Sequence, residues 1–217
     1  MDTENQASNH RPTLVYEQRL WTKGYRVVAG LDEAGRGALA GPVVAAAVVL
    51  SPDRDHRPWR DAGVRDSKLL TPLRREKLFD LIRRQAEAWA VGLVAASEID
   101  RVGIVAATRT AMGLALSQLS IPPDALLIDY LRLPDQSCPQ QPIPHGDRLS
   151  LSIAAASILA KVTRDQILVS LENTYPGYGF ARHKGYGTEA HRAALADLGP
   201  CFLHRLTFRP VREAQSP

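Results

Sequence analysis

Four acidic residues stand where a carboxylate invites a chemical explanation. Asp32 and Glu33 close VVAGLDE, a run without charge after Arg26; Asp129 closes ALLID; Asp147 stands just ahead of the apolar stretch SIAAASILAKV. In α/β proteins, side chains at strand ends and loop–helix junctions gather around a crevice. Carboxylates converging there repel one another unless cations neutralise them. Donors that are all oxygen, with no His or Cys, suit Mg²⁺ or Mn²⁺. Taken singly, each acid reads equally as a helix cap, a partner of a helix dipole or a surface ion pair, and spacing alone leaves both readings open. Neighbouring strand residues point to opposite faces, so Asp32 and Glu33 share a site only if the strand unwinds there. Gly35 and Gly37, just downstream, allow for that.

Such convergence needs a scaffold, and the hydrophobic pattern supplies one. Residues 14–22 read as a short helix and 27–33 as a strand. Residues 43–50 are a continuous apolar run flanked by Pro42 and Pro52, the mark of a buried strand. Residues 51–66 read as a polar loop. Thr71 and Pro72 form an N-cap and first helical position, opening a charged, periodic helix towards Glu87. Residues 89–95 read as a third strand. Over residues 103–119, Ile104, Thr108, Met112, Ala115 and Leu119 recur at helical spacing. A short strand over 125–130 precedes a loop, 131–145, with four prolines. A strong helix follows over 152–171, then a glycine- and tyrosine-rich loop, then a helix capped by Thr188. Strands alternating with helices predict an α/β sheet packed on both faces.

The chain has 217 residues, 45% of them hydrophobic, enough for one good core. A net charge of +4 suits a polyanionic partner without requiring one. Two cysteines, Cys138 and Cys201, form no C-x-x-C pair, which argues against a disulfide framework or zinc site and fits a cytoplasmic setting. The N-terminus MDTENQASNHRPT has no apolar core and reads as a frayed tail rather than a signal peptide. GALAGPV lacks the G-K-[ST] ending of a phosphate-binding P-loop.

At DEAGRGALAGPV a resemblance enters. AGLDEAGRGALAGPVVAAAVVL closely resembles the opening of ribonuclease HII, and four further blocks agree in order: DSKLL from Asp66, LLIDY ending at Tyr130, HGDRLSLSIAAASILAKVTRD from His145 and YGFARHKGYGT from Tyr178. The resemblance implies an RNase H-like α/β fold: a mixed central sheet with flanking helices and a helical C-terminal part. Its domain would span residues 25–210, between a tail with a short helix (1–24) and a frayed tail (211–217). The implied activity is that of a cytoplasmic, monomeric endoribonuclease. It would cut the RNA strand of RNA–DNA hybrids and nick ribonucleotide-containing duplex DNA 5′ of the ribonucleotide, leaving 5′-phosphate and 3′-hydroxyl ends. Two divalent cations, Mg²⁺ or Mn²⁺, about 4 Å apart would do this chemistry.

Matched block by block, the implied catalytic and metal-binding acids are Asp32, Glu33, Asp129 and Asp147. Asp165 of KVTRD competes for the last place. If the helix starts near Ile153, Asp165 lies 12 residues along it, about 18 Å away, and pairs better with Lys161 one turn earlier. Gly35, Arg36 and Gly37 are the implied readers of the 2′-hydroxyl, the group that separates RNA from DNA. Tyr186 would stack on the neighbouring sugar. Lys68, Lys184 and His183 would complete the substrate contacts. One departure stands close to the site: the family usually has glycine after the third acid, where this chain has Tyr130, and tyrosine disfavours positive φ.

Overall fold

The computed structural model describes residues 11–214. The first part of the expected N-terminal tail, residues 1–10, lies outside them. In chain order the elements are α1 (Val15–Thr22), β1 (Val28–Ala34), β2 (Val43–Leu50), α2 (Arg57–Asp61), α3 (Pro72–Gln85), β3 (Ala88–Val94), α4 (Ala96–Val102), α5 (Ile104–Ser117), β4 (Ala125–Asp129), β5 (Gln140–Ile143), α6 (Leu151–Ser170), α7 (Phe180–His183), α8 (Glu189–Leu198) and α9 (Arg209–Glu213).

The strands form one mixed sheet in the order β3-β2-β1-β4-β5. β2 runs antiparallel to β1 and β3, whereas β1–β4 and β4–β5 are parallel. The apolar run of β2 is buried along its whole length because it lies inside the sheet and both faces are covered. Val44, Ala46, Val48 and Leu50 pack with the Ala- and Ile-rich side of α6. Val43, Ala45, Ala47 and Val49 pack against Ala107, Ala111, Met112 and Ala115 of α5. This is the two-residue alternation of a strand serving two layers.

Gly30 lets α6 lie directly on β1: a Cβ there would stand 2.4 Å from Ser152. Ser150 caps α6 by accepting from the Ile153 amide. From α1, the buried Glu17 carboxylate accepts from Ser150 Oγ, Ser152 N and Ser152 Oγ at 2.6, 2.9 and 2.7 Å. An anion at a helix N-terminus is favoured by the backbone dipoles. The contact fixes the end of α6 from which the chain leads back to Asp147.

Three expectations need correction, because tertiary contacts override the local polar pattern. The 51–66 loop contains α2, which folds because Trp59 is buried and donates Nε1–H to Gln85 at 2.8 Å. The proline-rich 131–145 segment contains β5, an edge strand, where Pro142 costs little because an edge leaves amides unpaired. The expected frayed tail from 211 begins inside α9, whose Val211 is buried beside Leu39 and Leu195. In α2 and α9 a single buried anchor outweighs a polar surround, and in β5 a neighbouring strand edge does so.

Candidate active site

Asp32 and Asp129 lie on adjacent parallel strands, one rung beyond the Leu31–Ile128 pair. Both carboxylates project to the face covered by α6. Asp147 arrives from the 3₁₀ turn Gly146–Arg148, whose Gly146 amide donates to Asp129 Oδ1 at 2.8 Å. β1 does not unwind at Glu33, contrary to the condition set for sharing a site; it stays paired through Ala34. The pleat therefore sends Glu33 to the opposite face, in register with Ala45. Glu33 still reaches the same cleft of about 450 Å³ as Asp129, because β1 ends one residue later at Ala34 and the chain turns at Gly35, φ 93°.

Burial pushes the Asp32 carboxyl well above the usual range, and Glu33, Asp129 and Asp147 add to it. Burial also raises Glu33, opposed mainly by Arg36, whose Nη1 stands 3.3 Å from Oε1. Asp147 is pushed up to about 6 by burial, with Asp66 next in effect. Burial works against the Lys68 ammonium, yet Asp147, 3.6 Å away, and then Asp66, Asp32 and Asp129 hold its pKa above that of an ordinary lysine.

Among the described residues no three His, Cys, Asp or Glu side chains are already closed into a ligand shell. The donor chemistry nonetheless fits a hard divalent cation. Every donor is a carboxylate oxygen, the acids oppose one another's ionisation, and Glu33 Oε2 is buried with no partner.

Gly35, Arg36 and Gly37 line this cleft together with Lys68. Two buried arginines that the sequence reading missed lie beneath this loop and the segment that follows it. Arg164 donates through Nε to Pro42 O, through Nη2 to Ala40 O and through Nη1 to Lys184 O, each at 2.9 Å. Arg205 donates to Arg36 O at 2.8 Å and to Gly41 O at 2.9 and 3.1 Å. Burial lowers the pKa of both guanidiniums, that of Arg205 to about 9.

Tyr186 and Lys184 line a second cleft of about 550 Å³, with Arg75, Lys161 and Arg182 adding positive charge. Lys161 borders both clefts. Lys161 Nζ and Arg164 Cζ each lie 5.2 Å from the centre of the Tyr186 ring. Asp165 faces the second cleft and pairs with Lys161 at 2.7 Å, apart from the acids, as its position along the helix required.

His183 stands behind the loop that carries Lys184 and Tyr186. It is buried, and both ring nitrogens are occupied: Nδ1 accepts from Gly185 N, so Nε2–H donates to Tyr178 O at 2.7 Å. It supports the Tyr186 loop and lines the second cleft beside Lys184 and Tyr186. Its ring stacks on His191 at 4.2 Å. His191 Nδ1–H donates to Tyr186 O, leaving Nε2 to accept from His204 Nε2–H at 3.1 Å, and His204 Nδ1 accepts from Cys201 N. This bonding order is that of neutral rings.

Asp66, also missed, is buried against Asp147, caps the Lys68 amide at 2.9 Å and pairs with Arg148 at 3.3 Å. Its position directly before Ser67-Lys68 was the available signal for a cap. For Arg164 it was a charge on the helix face shared by Ala160 and Leu168.

The Ribonuclease HII family model matches residues 29–211. Ribonuclease HII of Geotalea uraniireducens (strain Rf4) is 54% identical over 204 residues, covering 94% of this chain and 92% of its own. That of Chloroflexus aggregans (strain MD-66 / DSM 9485) is 55% identical over 202 residues, 93% and 95% of the two chains. Among solved structures, the ribonuclease H2 of Pyrococcus horikoshii OT3 superposes with a TM-score of 0.73 at 29% identity, covering 87% of this chain and 96% of that one.

Proposed function

The chain belongs to the ribonuclease HII family of metal-dependent endonucleases acting on RNA–DNA hybrids, and from that premise we propose that it also nicks duplex DNA 5′ of an embedded ribonucleotide, leaving 3′-hydroxyl and 5′-phosphate ends. The observation that carries this reading is the meeting, in one cleft, of Glu33 and Asp129 with the Gly35-Arg36-Gly37 loop, with the buried Asp32 one strand position from both. Asp32, Glu33, Asp129 and Asp147 would hold divalent cations, Mg²⁺ or Mn²⁺, which when bound neutralise the scissile phosphate and activate water for in-line attack.

The chain's own groups do the rest. A Cβ at Gly37 would meet nothing within 4 Å, so a ribose can approach until its 2′-hydroxyl meets peptide groups, a contact that deoxyribose lacks, while the missing Cβ of Gly35 makes room for Arg164 beneath the loop. Arg36, partly exposed at the lip, is placed to grip a phosphate through its fork. Tyr186 presents a ring backed by Lys161 and Arg164 for stacking on the adjoining sugar. Lys68, its side chain 76% exposed, and Lys184 supply positive charge along the strand. In this reading the chain acts as a cytoplasmic monomer. Among the described residues no helix is long and apolar enough to cross a membrane.

The test is a DNA duplex with one ribonucleotide, incubated with Mg²⁺, with Mn²⁺ and with chelator, and its ends mapped. A metal-dependent nick immediately 5′ of the ribonucleotide supports the proposal. Cutting confined to long hybrids would refute the junction reading while leaving the family activity intact.

A further inference from the structure

Tyr130 sits at the centre of a tight reversal. The Leu131 amide donates to the Asp129 carbonyl at 2.6 Å across it, and its φ is 59°. A three-residue turn with positive φ at its centre is the strained γ-turn form. The turn is pinned on both sides. Tyr130 N–H donates to Ile143 O at 3.2 Å, and Leu131 and Leu133 are buried behind it. The sequence argued against positive φ at a tyrosine, and the chain adopts it all the same.

The side chain gains nothing visible in return. Tyr130 is 66% exposed and lines the acid cleft beside His145. Among the described residues its hydroxyl makes no hydrogen bond and its ring no aromatic or cation contact. Glycine would take this backbone without the steric cost. Strain of this kind persists where the geometry serves a ligand. Among the described residues the other non-glycine positions with positive φ, His145 and Lys184, also line the two clefts.

We propose that Tyr130 is a substrate contact: its ring packs on the sugar of a nucleotide flanking the scissile phosphate, on the strand that is cut. This rests on the function proposed above. Consecutive Cα atoms are about 3.8 Å apart, so a residue adjoining Asp129 meets the bound strand at the reacting phosphate or its neighbour. In a duplex the base faces are stacked inside, leaving sugars and phosphates to be touched. A neutral ring adds affinity there without altering the charge of the acid group.

The test compares the native chain with Tyr130→Gly and Tyr130→Phe on a labelled DNA duplex carrying one ribonucleotide. Binding is read by fluorescence anisotropy in Ca²⁺ and cleavage kinetics in Mn²⁺. Tyr130→Gly should weaken binding and raise KM by about fivefold, the weight of one aromatic–nucleotide contact. The loss should fall on KM rather than kcat. Its melting temperature should equal or exceed that of the native chain, because glycine relieves the turn, so lost affinity cannot be put down to misfolding. Tyr130→Phe keeps the ring and should restore the binding. A glycine variant that binds as tightly as the native chain overturns the proposal. So does a fall in kcat alone, which would make Tyr130 a prop for Asp129. If the native chain binds this duplex without nicking it, the proposed function fails, while the anisotropy comparison still decides the role of Tyr130.

Discussion

The Arg164 guanidinium lies 5.2 Å from the centre of the Tyr186 ring and, through Nη1, donates to the carbonyl of Lys184 at 2.9 Å. Its other donors hold Ala40 and Pro42, just after the Gly35-Arg36-Gly37 loop. One buried cation thus joins the two elements proposed to recognise a ribonucleotide.

Arg164→Lys tests that linkage. Lysine keeps the charge and loses the planar fork, leaving buried carbonyls without donors. The expected cost is about 2–4 kcal/mol of stability, read as a lower melting temperature. Cleavage at a single ribonucleotide should fall further than cleavage of a long hybrid, which offers many registers. Equal loss on both substrates would reduce Arg164 to a stability residue.

Gly35→Ala and Gly37→Ala should part company. Gly35 has φ 93°, and a Cβ there would stand 2.0 Å from Arg164 Nε, an atom that cannot retreat because the guanidinium is bonded on three sides. Gly35→Ala should lower both stability and cleavage, the latter at least about tenfold by displacing the loop. A Cβ at Gly37 would meet no non-neighbouring atom within 4 Å, so Gly37→Ala should leave stability within about 0.5 kcal/mol. Any loss of cleavage by that variant then reports a clash with substrate. Melting curves beside cleavage rates check the pair, and unchanged cleavage in Gly37→Ala would remove that residue from the reader.

Asp147→Asn should stabilise the chain when no divalent ion is added, in a pH-dependent way. Folding raises the Asp147 pKa from 3.8 to about 6. The native state therefore favours the protonated form, and stability declines as pH rises from about 4 through 6. Asparagine removes that decline. The variant's melting temperature in chelator should exceed the native one above pH 6, and the advantage should vanish near pH 4. Adding Mn²⁺ should raise the native melting temperature and narrow the gap. A gap independent of pH would mean that Asp147 ionises freely.

His204 works in the opposite sense. Burial first, then His191, lowers its pKa from 6.5 to about 4. The folded state holds the neutral ring, so stability is lost as pH falls from about 6.5 towards 4. A second ring proton would meet the Cys201 amide already pointing at Nδ1. His204→Gln should flatten this part of the stability–pH curve, measured by thermal melts from pH 4 to 7. An unchanged curve would show that the buried histidine chain does not set acid sensitivity.

Several features were legible because their cause is local. Eight apolar residues between prolines could be buried only inside a covered sheet, and β2 is. Thr71 followed by proline starts α3, with the threonine side chain accepting from Arg74 N. Asp165 lies one turn from Lys161, and the pair forms. Ordered motif blocks carried the family assignment. The geometric difficulty seen at Asp32 and Glu33 was also real: β1 stays regular, and the two side chains leave it on opposite faces.

The rest depended on how the chain returns upon itself. Asp66 meets Asp147, Arg205 meets Gly41, and His191 meets His204 only after the helices have packed. No local spacing encodes such meetings, the Arg205–Gly41 bond spanning 164 positions. His183 reads as a loop histidine beside a lysine until its neighbours bury it. The sequence by itself determined which elements form and which acids end them, because backbone preference and hydrophobic period act over a few residues. Tertiary structure alone decided which buried cations hold the reading loops and what Tyr130 faces, because desolvation and distant partners exist only in the folded chain.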